Sequence, residues 1–293
     1  MQEKKNLAVE RKPNRGGDLS PTFGELLLDS SLIVATNNAE LYNVKLINCG
    51  DYMQVYYLQN EELKNKKIDK EKTIKFIDTD NLKRLSNDLI DSHGIEAKNI
   101  NRSKLECQRL AKANAKDWET FITLTFEENI LNIDEANKRF KYWRDKVRRV
   151  YNDFKYIAIP EFQKRGAVHY HLLTNISIDN HKLIFEQEDN KKFKHIKYWN
   201  EGFTKVDGLK NDIKKIVGYI SKYMTKDADD RLYNRHRYFY SRNLRKPSVN
   251  FLNLNDPKHL EFYNRMLCDK KLIYNNTYTN SYNKELIEFK EFL

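Results

Sequence analysis

The chain has little that would suit an oxidising compartment or a membrane. Three cysteines, Cys49, Cys107 and Cys268, are scattered over 293 residues. They are odd in number and lack metal-ligand spacing, so they read as reduced, buried or incidental thiols of a cytosolic protein. No apolar run approaches the roughly 20 residues of a membrane span. The start of the chain is too polar and charged to read as a secretory leader. Nine glycines and five prolines are few for this length. With abundant Asn and Lys, that scarcity fits an AT-rich genome and carries no structural weight.

What is present is positive charge. Lys plus Arg number 53 against 42 Asp plus Glu, a net charge of +11. An excess of that size favours a polyanionic partner, most simply nucleic acid, although a merely soluble basic protein has the same composition. The chain divides into four regions with no internal repeat. Residues 1–35 read as a mobile polar tail. Residues 36–115 read as an accessory region: a hairpin over 41–58 turning at Cys49-Gly50-Asp51, a strand at Thr73–Ile77, and helix over 81–115 interrupted near Gly94. Residues 116–250 hold the chemistry, and 251–293 form a tyrosine-rich C-terminal extension.

Within 116–250 the patterns are sharper. Phe121-Ile-Thr-Leu-Thr-Phe126 is a β-branched and aromatic run, hence a buried strand. Residues 134–151 form a helix with Ala136, Phe140, Trp143, Val147 and Val150 as its apolar stripe. Its other faces carry Lys138, Arg139, Lys141, Arg144, Lys146, Arg148 and Arg149, either a solvated face or a phosphate-contacting one. Lys155–Gln163 and Val168–Asn175 read as a hairpin about Lys164-Arg165-Gly166-Ala167. Residues 181–199 are charged and read as helix. Gly202–Val206 and Arg237–Arg242 read as short strands, and Asn211–Lys226 as a helix between them. That order predicts an α+β fold, a ferredoxin-like antiparallel sheet with helices packed on one face.

Two constellations carry chemistry. In His169-Tyr170-His171 strand alternation puts both imidazoles on one face and Tyr170 on the other. A turn centred near Arg165 sets Glu161 opposite His169 and Ile159 opposite His171, with facing β-carbons about 5 Å apart. Two imidazoles and a carboxylate suit a divalent metal, Mn²⁺ or Mg²⁺ at a phosphodiester, and zinc by ligand type. Gln163 shares the face as a further ligand or a supporting group. A lone His-x-His reads as two half-exposed histidines; Glu161 in register tips the reading to a metal site.

The second constellation is Tyr219-x-x-Lys222-Tyr223-x-x-Lys226. At about 100° per residue Ile213, Ile216, Val217, Ile220 and Met224 make the packing face. Tyr219, Lys222, Tyr223 and Lys226 fall on another flank, with the tyrosines one turn apart. The bland alternative is an amphipathic edge of aromatic rings and lysine stems. A phenol with pKa of about 10 needs a nearby metal or ammonium group to act as a nucleophile at neutral pH.

Taken together, Phe121–Phe126, His169-Tyr-His171 and the Tyr-x-x-Lys-Tyr-x-x-Lys block resemble the HUH endonucleases. They are most similar to the two-tyrosine class of rolling-circle replication initiators of phages and plasmids, and the resemblance covers about residues 118–250. It implies His169, His171 and Glu161 as metal ligands, Tyr219 and Tyr223 as nucleophiles, and Lys222 and Lys226 as groups orienting phosphate or phenolate. It also implies a sheet with the metal site on its exposed face. The implied reaction is a nick in one strand at a replication origin, leaving a 5′-phosphotyrosine and a free 3′-OH. Single-stranded origin DNA and a host polymerase are the implied partners, in a bacterial cytoplasm and with no membrane. No Gly-x-x-x-x-Gly-Lys-Ser/Thr loop is present, so a separate host helicase is expected. Trp199 with Gly202-Phe203, and Ser241–Pro247, look like flanking segments with core and DNA-contact roles. Three other readings compete: a transposase or relaxase with the same parts, a non-catalytic module binding single-stranded nucleic acid, and a metal-dependent hydrolase of small molecules.

Overall fold

The computed structural model describes residues 41–63, 99–163, 165–187, 190–209, 216, 218, 220, 222, 223, 235–280 and 284–293. The readings for the tail at 1–35, the strand at Thr73–Ile77 and the helix before residue 99 fall outside them.

Strands β1 (Leu41–Cys49) and β2 (Tyr52–Leu63) form the expected hairpin. Gly50 takes φ 74° at its turn, which a side chain would resist. Helix α1 covers 99–113. After β3 (Thr120–Thr125) comes α2 (Ile133–Val150). Asn132 caps α2 by accepting from the backbone N–H groups of Asp134 and Glu135. Acidic residues in its first turn and Arg148 and Arg149 in its last match the helix dipole. Then follow β4 (Tyr156–Phe162) and β5 (Val168–Thr174), joined through Gly166 at φ 88°.

Residues 181–199 correct the sequence reading. They form β6 (Ile184–Gln187) and β7 (Asn190–Ile196), an antiparallel pair, where a helix was expected. Ile184 and Ile196 face each other and enter the core while Phe185 and His195 face the opposite way. One apolar residue per strand on the buried face is too little for sequence alone to show a period of two. Beyond lie β8 (Thr204–Gly208), helix α3 marked by residues 216, 218, 220, 222 and 223, β9 (Phe239–Tyr240) and β10 (Ser248–Leu252). Helix α4 (Pro257–Leu267) starts with Pro257 behind an Asp256 cap. Strands β11 (Leu272–Thr279) and β12 (Leu286–Phe292) follow.

The strands make two antiparallel sheets, so the molecule is α+β as expected. The seven-stranded sheet runs β6-β7-β8-β3-β5-β4-β9. Strand alternation splits its side chains. Ile122, Leu124, Ala158, Tyr170 and Leu172 pack under Ala136, Phe140, Trp143 and Val147 of α2. Phe121, Ile157, Ile159 and Leu173 pack instead against Cys107, Leu110 and Ala111 of α1 and Ile216 and Ile220 of α3. This second face therefore carries helices as well.

The five-stranded sheet runs β10-β1-β2-β12-β11 and joins residues near both ends of the sequence. Its α4 side packs around Val44, Leu46, Val55, Leu252 and Phe262. On the other side α1 is tied down by polar contacts. Arg109 donates to Gln54 at 2.8 Å and to the Tyr56 hydroxyl at 2.7 Å, Gln54 donates to Glu291 at 3.0 Å, and Lys112 pairs with Glu291. Among the described residues no helix is long and apolar enough to cross a membrane.

Candidate functional site

The β4–β5 register places Glu161 opposite His169 and Ile159 opposite His171, as the turn predicts. Both imidazoles share a face and Tyr170 points the other way. Tyr170 stacks on Phe140 with ring centroids 4.6 Å apart and donates to Asn137 at 2.6 Å. Burial pushes its phenol far above the ordinary range, so it stays protonated and serves the core.

Around the histidines the contacts run diagonally. Glu161 Oε2 lies 2.5 Å from Nε2 of His171, one position along from its register partner. Gln163 Nε2 is 3.3 Å from Nδ1 of His169. From β3, Thr123 Oγ1 is 3.3 Å from Nδ1 of His171 and Thr125 Oγ1 is 3.5 Å from Nδ1 of His169. Sequence reasoning took Phe121–Phe126 as a core strand and missed these two hydroxyls. The signal was available: threonines two residues apart in a strand whose other face is wholly apolar.

The site is more enclosed than the exposed face expected from the resemblance. His169 and His171 are 7% and 5% exposed. Ile216 and Ile220 anchor α3 in the apolar half of this face, and that anchorage carries Tyr223 over the polar half. Its ring stacks on His171 with centroids 3.6 Å apart and planes 17° apart, and on Phe121 at 5.7 Å. Lys222 is exposed, with its ammonium nitrogen 5.2 Å from the Tyr223 ring centroid. Tyr219 and Lys226 lie outside the described residues. Tyr238 packs on the edge of the same cluster, and burial pushes its phenol far up, which keeps it neutral.

His169, His171 and Glu161 match a divalent ion by donor type. His171 and Glu161 already present adjacent nitrogen and oxygen donors, and the two imidazole centroids stand 6.5 Å apart. Among the described residues no three His, Cys, Asp or Glu side chains converge as a finished ligand set. The chemistry of the donors fits an ion that draws His169 inward.

The basic helix proves to be elsewhere. Its stripe packs on the Tyr170 face, so α2 lies across the sheet from the histidines. Arg139 is held by Glu201 and Glu135, each at 2.7 Å, and by Glu128 at 3.1 Å, which together raise its pKa. Arg144 binds Asp145 at 2.7 Å. These two guanidinium groups are engaged by carboxylates. Trp199 is in the core, as expected, donating to the Thr125 carbonyl at 3.0 Å. In the segment expected to touch DNA, Ser241 is buried and accepts from the Tyr156 N–H at 3.1 Å, while Arg245 reaches Asp117 at 3.3 Å.

Residues 119–228 match a family of replication-associated proteins, described by its ORF2 member. That span contains Glu161, both histidines and the whole tyrosine block, and leaves out the five-stranded sheet. The chain is also 26% identical over 128 residues to the phasyl DNA replicon protein arp of Escherichia coli. The match covers 38% of this chain and 44% of that protein, so the chain spans less than half of its relative's length. No solved structure matches. Both similarities are to replication proteins, and they point to a replication initiator family.

Proposed function

We propose that this chain is a replication initiator that nicks one DNA strand at an origin by tyrosine transesterification. The observation that carries the reading is the stacking of Tyr223 on His171 at 3.6 Å, which unites two motifs more than fifty residues apart. The replication-protein similarity of residues 119–228 supports the substrate.

In this reading the phenolic oxygen of Tyr219 or Tyr223 gives up its proton and attacks the scissile phosphorus in line. The P–O3′ bond breaks, the 5′-phosphate stays on tyrosine, and the departing 3′ oxygen takes a proton to become the free 3′-OH. A host polymerase extends that end, and a host helicase opens the duplex ahead. The second tyrosine allows a second transesterification that releases the first strand by rejoining. Lys222 and Lys226 lower the cost of the phenolate and orient the phosphate. His169, His171 and Glu161 would hold Mn²⁺ or Mg²⁺, which when bound polarises the phosphodiester and offsets charge in the transition state. Thr123, Thr125 and Gln163 fix the imidazole rings.

The test is a cleavage assay on labelled single-stranded DNA carrying the replicon's own origin, with Mn²⁺ or with EDTA. Denaturing gels report covalent adducts for wild type, Tyr219→Phe, Tyr223→Phe and the double variant. A metal-dependent adduct lost only in the double variant is the expected result, and loss in one single variant names the initiating nucleophile. DNA binding without any adduct would leave a non-catalytic binding module instead.

A further inference from the structure

The sheet face that holds the histidines continues past them onto the outer strands. Leu124 of β3 and its partner on β8, Thr204, both turn to the α2 side. Lys205 pairs with Thr123, and the Phe203 carbonyl accepts from the Thr125 N–H at 2.9 Å. Phe203 and Lys205 therefore share the histidine face, and so do His195 on β7 and Phe185, its register partner on β6. At about 4.8 Å per strand, Phe203 lies about 10 Å to the side of His169 at the same level, the span of about three stacked nucleotides.

Three features of this wing need an explanation that core packing does not give. Phe185 and Phe203 are 38% and 48% exposed, on a chain whose other large aromatics on this sheet are mostly buried. The imidazole of His195 sits between them, with ring centroids 5.6 Å from Phe185 and 5.4 Å from Phe203. His195 is 2% exposed, and its Nε2 has no hydrogen-bond partner. Leaving a buried polar nitrogen unmatched is costly. The Thr204 hydroxyl accepts from the Ile196 N–H at 3.2 Å and lies 3.2 Å from Nδ1 of His195. Its own proton is then available to Nδ1, which assigns the imidazole proton to Nε2 and makes that atom a donor awaiting an acceptor. Lys205, ion-paired with Asp207 at 2.9 Å, borders the rings over Phe193.

We infer that the β6–β7–β8 wing is a base-stacking platform for single-stranded DNA leading to the histidine face. Phe185 and Phe203 are its stacking rings, and His195 hydrogen-bonds an acceptor on a base seated between them. Aromatic rings suit unpaired bases because every base has a flat face, and a buried donor between two rings reads a base edge. The net charge of +11 fits a polyanion. The inference rests on the proposed function only for the choice of DNA and needs no cleavage.

The experiment uses the full chain carrying Tyr219→Phe and Tyr223→Phe, in EDTA, with a labelled mixed-sequence single-stranded oligonucleotide followed by fluorescence anisotropy. Phe185→Ala and Phe203→Ala are each expected to weaken binding about 5- to 100-fold. Unchanged affinity in the double alanine variant, with wild-type circular dichroism and melting, overturns the platform. Phe203→Trp guards against loss of fold: it should keep the affinity and gain a fluorescence signal, relative to the parent, that single-stranded DNA quenches. Absence of that quenching at saturation also overturns the platform. His195→Phe should equalise affinities for dT, dC and dA homopolymers, and an unchanged preference overturns the role given to His195. Loss of binding here, whatever the adduct assay shows, tests the platform separately from the nickase.

Discussion

The two faces of the seven-stranded sheet share every backbone bond and differ in nearly everything else. On β5, Val168, Tyr170 and Leu172 enter a dry core beneath α2, while His169 and His171 face Glu161, Gln163, Thr123 and Thr125. The first face is filled by ring against ring, as in Phe140 on Tyr170. The second pairs donors with acceptors and then covers them with one stacked tyrosine. Stability and chemistry are thus assigned to opposite sides of the same strands. A substitution on one face should leave the property carried by the other largely intact.

The largest break in that comparison is Tyr170→Ala. It empties a fully buried site under α2 and should cost about 3–5 kcal/mol of stability in urea denaturation. If it instead costs under about 1 kcal/mol, the Tyr170 face is not the main source of stability. On the other face, Mn²⁺ at about one hundred times its dissociation constant should stabilise the wild type by about 2.7 kcal/mol. Glu161→Gln keeps a hydrogen-bonding group beside His171 but removes the charge, and should lose most of that gain with little change in EDTA. A full Mn²⁺ shift in that variant would remove Glu161 from the ligand set.

Gly202 tests both faces at once. It takes φ 146°, and a β-carbon there would meet the Thr125 carbonyl oxygen at 2.6 Å and the Glu127 nitrogen still closer. Gly202→Ala should cost about 1–3 kcal/mol in thermal or chemical unfolding, because β8 cannot close on β3 without moving backbone. The smallest effect is predicted for Arg139→Ala. Its guanidinium is already held by three carboxylates across the sheet from the histidines, so DNA affinity should stay within about twofold and the salt slope unchanged. A fall in that slope by about one would return α2 to the DNA-binding surface.

The sequence made one face far more legible than the other. The α2 stripe and the β3 run were readable because apolar residues recur at fixed spacing. The β4–β5 register was readable because a glycine turn fixes it, so the turn alone aligns Glu161 with the histidines. The diagonal contact of Glu161 with His171 was not readable, since register sets which backbone positions face each other and leaves side-chain direction open. The β6–β7 pair was hidden by its lysines and by having one buried residue per strand. The pairing of β2 with β12 was hidden by distance, because no turn connects them. Tyr223 could be placed on a flank of its helix, but its seat on His171 depends on where Ile216 and Ile220 dock.

That distant pairing also sets a timetable. Tyr56 on β2 pairs with Phe289 on β12, roughly 230 residues later. At about 5–20 residues per second, β2 waits about 10–50 s on the ribosome for its neighbour. Helix α1 is fastened through Glu291 of that late strand, and α1 shares a core with Ile216 and Ile220 beneath the tyrosine helix. A nascent chain that has made its histidines and tyrosines therefore still lacks one of the fastenings of the helix packed beside them. Synthesis itself becomes a safety catch, with the last strand completing the support of the site.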